Sequence, residues 1–214
     1  MKKYSKNQLE RFPIYLKYLR ELRDQGVRHT SSPLMAEKLG YSQELIRKDL
    51  QVVCRDSGTP KVGRGVMQMI DDIETFLGYR KLIPAIVIGV GHLGGALLNY
   101  KGFLDMGMHL EVAVDNDPRI VGTEIGGKKV FGMSMLGTYI REKGIKIAVF
   151  TVPAEKAQLL AEQVVEYGVT AIWNWTPISL KVKPGIVVEN VNLASSLAKL
   201  CHKMADSDRR SVTR

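Results

Sequence analysis

The sequence predicts an α/β protein in two parts, helical over residues 1–80 and built on a parallel sheet over residues 81–204. Three observations predict it. Apolar residues recur at helical spacing as far as about residue 79. Beyond that point the short β-rich runs "AIVIGV", "LEVAVD", "IKIAVFTV", "TAIWNW" and "GIVVE" alternate with helical patterns such as "SMLGTYIRE" and "AEKAQLLAEQVVEYG". Nearly unbroken apolar strands of this kind fit a parallel sheet covered on both faces. The first strand also runs straight into the glycine-rich stretch "GVGHLGGALLNY". The final ten residues, "ADSDRRSVTR", read as a flexible solvated tail, 205–214.

Composition narrows the class. Of the 214 residues 45% are hydrophobic and 25% charged, as in an ordinary water-soluble protein. No run of 18 apolar residues suggests a membrane span. The basic start, "MKKYSKNQLERF", leads into no apolar stretch and does not read as a secretory signal. Cys54 and Cys201 stand alone, without metal-ligand spacing, and suggest reduced thiols in a cytoplasmic protein; no metal site is expected. The net charge is +9, and residues 1–80 hold 15 Lys and Arg against 10 Asp and Glu. That excess favours a polyanion such as nucleic acid, though without specificity.

The first helical stretch, "LERFPIYLKYLRELRDQG", places Leu9, Phe12, Tyr15, Leu16, Leu19 and Leu22 on one stripe, with Pro13 expected in the first turn and Gly26 as the stop. In "TSSPLMAEKLGYSQELIRKDLQVVC", Ser32 is a plausible N-cap with Pro33 at the first helical position, and Gly40 ends that short helix. Ser42 then caps a second helix with Leu45, Ile46, Leu50 and Val53 facing inward. A short helix, a turn containing glycine and a second helix follow the helix-turn-helix plan. Ser42, Gln43, Glu44, Arg47, Lys48 and Gln51 would then face outward, where such side chains reach base edges and phosphates in a major groove. A merely solvated helix face would look similar. The segment "RDSGTPKVGRG" fits a β-wing whose Lys61 or Arg64 would touch the backbone or minor groove of duplex DNA. The helix of "VMQMIDDIETFLG" then closes a winged helix-turn-helix domain, with Val66, Met69, Ile70, Ile73 and Leu77 inward.

The glycines answer a specific need. A strand feeding a helix through G-x-G-x-x-G aims the free backbone N–H groups and positive end of that helix at an anion. Gly89 permits the tight turn, Gly91 lets a pyrophosphate approach, and Gly94 lets helix and strand pack closely. Asp115, 21 residues after Gly94, ends the next strand, where an acid accepts from an adenosine ribose and disfavours a 2′-phosphate. The pattern predicts a Rossmann-type NAD(H) site, with an empty Rossmann-like domain or one holding coenzyme A as the alternative. His92 and Leu93 lie within the loop. Thr151, Val152 and Pro153, with Asn174 to Pro177, end later strands at the carboxyl edge, where the cofactor lies.

The rest of the chain argues against chemistry. A nicotinamide dehydrogenase needs an acid or base by the ring and a region to hold substrate. Here the residues after the fingerprint are used up by the dinucleotide fold. His109 precedes the second strand, and His202 lies in the last helix. The cofactor therefore reads as a signal. Two rivals stay open: a small NAD(H)-dependent oxidoreductase with a helical extension, and a nucleotide- or CoA-binding module whose helical part contacts protein.

Taken together, "RKDL" (47–50), "GVGHLGGALLNYKGF", "VDNDPRIVG", "TVPAEKAQ" and "NWTPISLKVKPGIVVENVNL" resemble the Rex family of redox-sensing transcriptional repressors, across about residues 8–204. The resemblance implies a homodimer with a winged helix, a Rossmann domain and a swapped last helix. It implies a palindromic operator that NADH releases while NAD+ competes. It casts Arg47 and Lys48 as DNA contacts, the three glycines and Asp115 as the cofactor site, and Tyr100 as linked to redox-dependent closure. Leu193, Leu197, Leu200 and Met204 would form the stripe of the swapped arm. The sequence departs from the family pattern in the wing, which lacks its aromatics. It departs also at Lys17, where an arginine is common, and at Asn192, where an aspartate is.

Overall fold

A computed structural model describes residues 4–59 and 62–212. The chain divides between Lys81 and Leu82 into two compact units, each described by itself.

The N-terminal unit runs α1 (Lys6–Asp24), β1 (His29–Thr30), α2 (Ser32–Leu39), α3 (Gln43–Val53), β2 (Arg64–Gly65) and α4 (Val66–Leu77). Strands β1 and β2 pair antiparallel, and Thr59 bridges Gly63 in the loop before β2, which gives the hairpin of a wing. Phe12, Tyr15, Leu16 and Leu19 from α1, Met35, Ile46 and Leu50 from α2 and α3, and Val66, Met69, Ile70 and Ile73 from α4 form one apolar core. Two details differ from expectation. Helix α1 starts at Lys6 behind a Ser5–Gln8 capping box, so Pro13 is interior and not in the first turn. One backbone hydrogen bond is lost there, and the buried stripe on either side holds the helix. Helix α2 begins one residue early: Ser31 is the N-cap and Ser32 is helical, with Pro33 still in the first turn. Gly40 ends α2 in the left-handed conformation, φ 71°, and Ser42 caps α3 by accepting from Leu45 N–H.

The second unit runs β3 (Ile83–Ile88), α5 (His92–Asn99), β4 (Met108–Asp115), β5 (Glu124–Ile125), β6 (Lys128–Gly132), α6 (Leu136–Glu142), β7 (Ile147–Phe150), α7 (Ala154–Tyr167), β8 (Ala171–Asn174), β9 (Val187–Asn190) and α8 (Leu193–Val212). The strand order is β5-β6-β4-β3-β7-β8-β9, with all pairs parallel except the β5–β6 hairpin at the edge. The order reverses between β3 and β7, which puts a crevice at their carboxyl ends. Alternate residues of β3 face opposite layers. Ile86 and Ile88 pack with Leu136, Ile140, Ala157 and Leu160 of α6 and α7, while Ala85 and Val87 pack with Leu97, Leu98 and Phe103 on the other side.

Strands β5 and β6 are not among the elements expected from sequence. The C-terminal end differs too: α8 continues to Val212, so 205–212 is helical and not a tail. No described helix is long and apolar enough to cross a membrane.

Candidate functional site

Two candidate sites emerge, one in each unit. In the first, the buried face of α3 is fixed by a charge cluster the sequence did not announce. Asp49 is fully buried. It accepts from Arg11 Nε at 2.6 Å, from Arg11 Nη2 at 2.8 Å and from the Tyr15 hydroxyl at 2.7 Å. Burial works to raise the Asp49 pKa; the hydrogen bonds from Arg11 and Tyr15 outweigh it and hold the carboxyl below its usual range. Burial, followed by the hydrogen bond to Asp49, pushes the Tyr15 hydroxyl far up. So α1 grips α3 through a bidentate ion pair. Gln43, Arg47, Lys48 and Gln51 are exposed on the outer side of α3, as expected. Ser42 is exposed too, and its hydroxyl oxygen is occupied as the helix cap. The Arg64 guanidinium donates to the Asp56 carbonyl at the base of the wing. Lys61 lies outside the described residues.

In the second unit, a cleft of about 680 Å³ opens at the carboxyl ends of β3, β4 and β7. Gly89, Gly91, Asp115, Thr151, Val152 and Pro153 line it, joined by Asn116, Asp117, Ile120, Met133, Lys156, Leu159 and Leu160. The glycines separate by role. Gly89 has φ 89°, and Gly94 is packed so tightly that a Cβ there would strike the Gly89 carbonyl oxygen and Thr151 Oγ1. A Cβ on Gly91 would meet no protein atom within 4 Å, so the space before the N-terminus of α5 is left for a ligand. Thr151 Oγ1 donates to the Gly89 carbonyl at 2.5 Å and pins the loop. Asp115 is buried, and its carboxylate accepts from Val90 N–H at 2.5 Å and Asp117 N–H at 2.8 Å. Its remaining lone pairs can accept further hydrogen bonds from the cleft. Arg119 holds the Asp117 carboxylate at 2.6 Å and lowers its pKa to about 2, so the rim of the cleft stays ionised.

The other expected cofactor residues lie outside the lining. His92 and Leu93 form the exposed first turn of α5. Gly94 supports the loop from behind. Tyr100 follows the far end of α5, roughly 12 Å along the helix axis from the glycine loop by the helical rise. Its ring is half exposed against Phe103, with centroids 4.8 Å apart. Asn174 is fully buried and saturated, donating to Ile178 and Asn190 and accepting from Thr176. It braces the strand ends. The apolar lining of Ile120, Met133 and Leu159 was missed. Ile120 stood within "VDNDPRIVG", while Met133 follows the unexpected β6, and Leu159 resembled any other apolar residue of an amphipathic helix.

The outer end of the sheet is different. Val187 of β9 is 65% exposed, and Leu193, Leu197, Leu200 and Met204 on α8 are 55–66% exposed. The Asn192 side chain caps α8 by accepting from Ser195 N–H at 2.9 Å.

A family model described as "Putative DNA-binding protein N-terminus" matches residues 3–51, and one described as "CoA binding domain" matches residues 80–178. The redox-sensing transcriptional repressor Rex of Bacteroides fragilis is 36% identical over 92% of this chain and 89% of its own length. That of Treponema denticola is 38% identical over 90% of this chain and 91% of its own. A crystal structure of the Rex-family repressor RSP in complex with NAD+ and operator DNA superposes with a TM-score of 0.87 at 31% identity, covering 99% of this chain and 97% of that one. RSP in complex with NADH gives 0.85 at 30% identity over the whole of both chains. The chain belongs to the Rex family of redox-sensing transcriptional repressors.

Proposed function

We propose that this protein is a DNA-binding repressor that senses the NADH/NAD+ ratio and leaves its operator when NADH binds. One observation carries the reading: a single chain holds a helix-turn-helix with a basic outer face and a glycine-loop cleft shaped for a dinucleotide. RSP has the same architecture, at 30–31% identity, and is described both with NAD+ and operator DNA and with NADH. The proposed DNA contacts are Gln43, Arg47, Lys48 and Gln51 on α3, with Ser42 at its cap and Lys61 and Arg64 of the wing in supporting roles. The proposed cofactor contacts are the 89–94 loop for the pyrophosphate and Asp115 for the ribose.

The protein acts without chemical turnover. The cleft's charged lining is Asp115, Asp117 and Lys156, with no histidine or cysteine among the lining residues. Bound coenzyme has a redox-active ring, and nothing in this reading requires that it react. The CoA-module alternative is disfavoured by Asp115, a carboxylate at the ribose position, and by the basic α3, which that alternative leaves without a ligand. The working unit is a homodimer in the cytoplasm, with α8 as the exchanged arm, since its exposed apolar stripe has no cover within the chain's described residues. A two-fold dimer with equivalent recognition helices implies half-sites in inverted repeat.

The test is an electrophoretic shift of the protein's own upstream DNA, alone, with NADH and with NAD+. NADH should release the duplex and NAD+ should not. Binding indifferent to both coenzymes overturns the reading, and hydride transfer to a carbonyl substrate would replace it with the oxidoreductase.

A further inference from the structure

The outer face of α3 carries a carboxylate among basic and amide groups. Ile46, Asp49 and Leu50 define the buried side of the helix. At 3.6 residues per turn, Glu44, Lys48 and Gln51 lie directly opposite, and Arg47 lies to one side. Lys48 Nζ and Glu44 Oε1 form an ion pair at 2.8 Å, with side chains 64% and 65% exposed. An exposed pair of this kind contributes little to stability. Yet on a face that meets DNA, a carboxylate opposes every phosphate it approaches. Its position, at the centre of the face and in the first turns that reach base edges in helix-turn-helix proteins, asks for a different explanation.

We propose that Glu44 and Lys48 act as a unit that reads one C·G base pair in each operator half-site. Glu44 accepts from the cytosine N4 amino group, and Lys48 donates to guanine O6 or N7. The inference rests on the reading of the chain as a duplex-binding repressor. Its basis is the pattern of the groove edge. The major groove offers a carboxylate two base donors, cytosine N4 and adenine N6. Adenine N6 sits beside the N7 acceptor of the same base, which repels a carboxylate; cytosine has no such neighbour in the groove. The guanine paired with it presents only acceptors there, which suit an ammonium. An acceptor and a donor one helical turn apart, already side by side at 2.8 Å, complement that edge. Glu44 stays ionised for the task, since its hydrogen bond to Lys48 lowers its pKa. The same carboxylate rejects registers in which guanine or a phosphate faces it, so it filters against nonspecific duplex.

The test uses the full chain and a pool of duplexes with randomised half-sites, selected by the unmodified protein and by Glu44→Ala and Glu44→Gln. The unmodified protein should fix one C·G pair per half-site. Glu44→Ala should lose the preference at that pair alone, by roughly tenfold, and bind random-sequence duplex more tightly. Glu44→Gln should shift that pair toward A·T, because an amide both accepts from N6 and donates to N7. Thermal midpoints are compared throughout; if Glu44→Ala lowers its midpoint, the isosteric Glu44→Gln carries the comparison. An unchanged selected sequence in both variants, or an equal loss at every position, overturns the inference and leaves the repressor reading intact. Failure of the unmodified protein to bind any duplex in a salt-sensitive way overturns both.

Discussion

The Asp115 carboxylate is held on two sides, by Val90 N–H within the glycine loop and by Asp117 N–H beyond β4. Under the proposed ribose role, a hydroxyl entering the cleft would meet an acceptor whose direction is already set. Asp115→Ala removes a charge-assisted acceptor worth about 1.5–3 kcal/mol and releases the loop brace as well. NADH affinity should fall about tenfold to a hundredfold in a fluorescence titration, with the fold retained; level affinity would refute the ribose role. Gly94→Ala tests the packing argument at the same site. Its methyl would strike the Gly89 carbonyl, so helix and strand must separate. We expect loss of NADH binding together with a lower thermal midpoint, whereas the open site at Gly91 should accept alanine with a loss of affinity and an unchanged midpoint. The two cysteines differ in the same residue-level way. Burial pushes the Cys54 thiol up to about 11, which makes it inert at neutral pH, while Cys201 lies exposed on α8.

Among the elements, legibility in the sequence followed local signals. The Ser42 cap and the glycine at 40 were plain, because turn and cap chemistry are written in single residues. The glycine loop was plain for the same reason. Strand β6, "KKVFG", was not: two lysines open it, and it holds only five residues. The register it makes with β4 supplies the rest of its pattern, and register is a tertiary fact. The last residues of α8, "ADSDRRSV", are mostly polar, which reads as solvated coil until the preceding apolar stripe carries the helix onward. Asp49 was the largest omission. An aspartate in "RKDL" looks like a surface residue, and only the arrival of Arg11 and Tyr15, 38 and 34 residues earlier, allows it to be buried. Asp49→Ala leaves Arg11 without its partner and should cost about 3–5 kcal/mol by thermal or denaturant melting. The sign of the pH dependence comes from the lowered folded pKa. The contribution is fully present above the unfolded value of about 3.9 and fades as pH falls through the lower folded one. An acid melt of Tyr15→Phe, which loses one of the three hydrogen bonds, should begin at higher pH than that of the unmodified protein. For α8, Leu197→Glu and Leu200→Glu alter residues already exposed in the single chain. They should leave the fold intact and shift sedimentation from dimer to monomer; an unaltered dimer would refute the arm.

For the whole molecule, a sensor needs no strong effect at either site, only a difference. NADH releases the operator only to the extent that it binds the DNA-incompetent state better than the competent one. A hundredfold fall in operator affinity requires about 2.7 kcal/mol of coupling, toward the upper end of the usual range of about 1–3 kcal/mol for two-site proteins. Here the departure at Asn192 bears on the result: an aspartate accepts charge-assisted hydrogen bonds, whereas the Asn192 oxygen is a neutral acceptor. In this structure the Asn192 oxygen is engaged in capping α8. The coupling should respond to Asn192→Asp, since an aspartate caps a helix equally well and adds a charge. Coupling is reciprocal, so it is measurable from either side: NADH titrated with and without saturating operator, and operator titrated with and without NADH. The two ratios should agree, and both should grow in Asn192→Asp. An operator that leaves NADH affinity untouched would mean that the nicotinamide pool reaches the DNA by some route other than binding in this cleft.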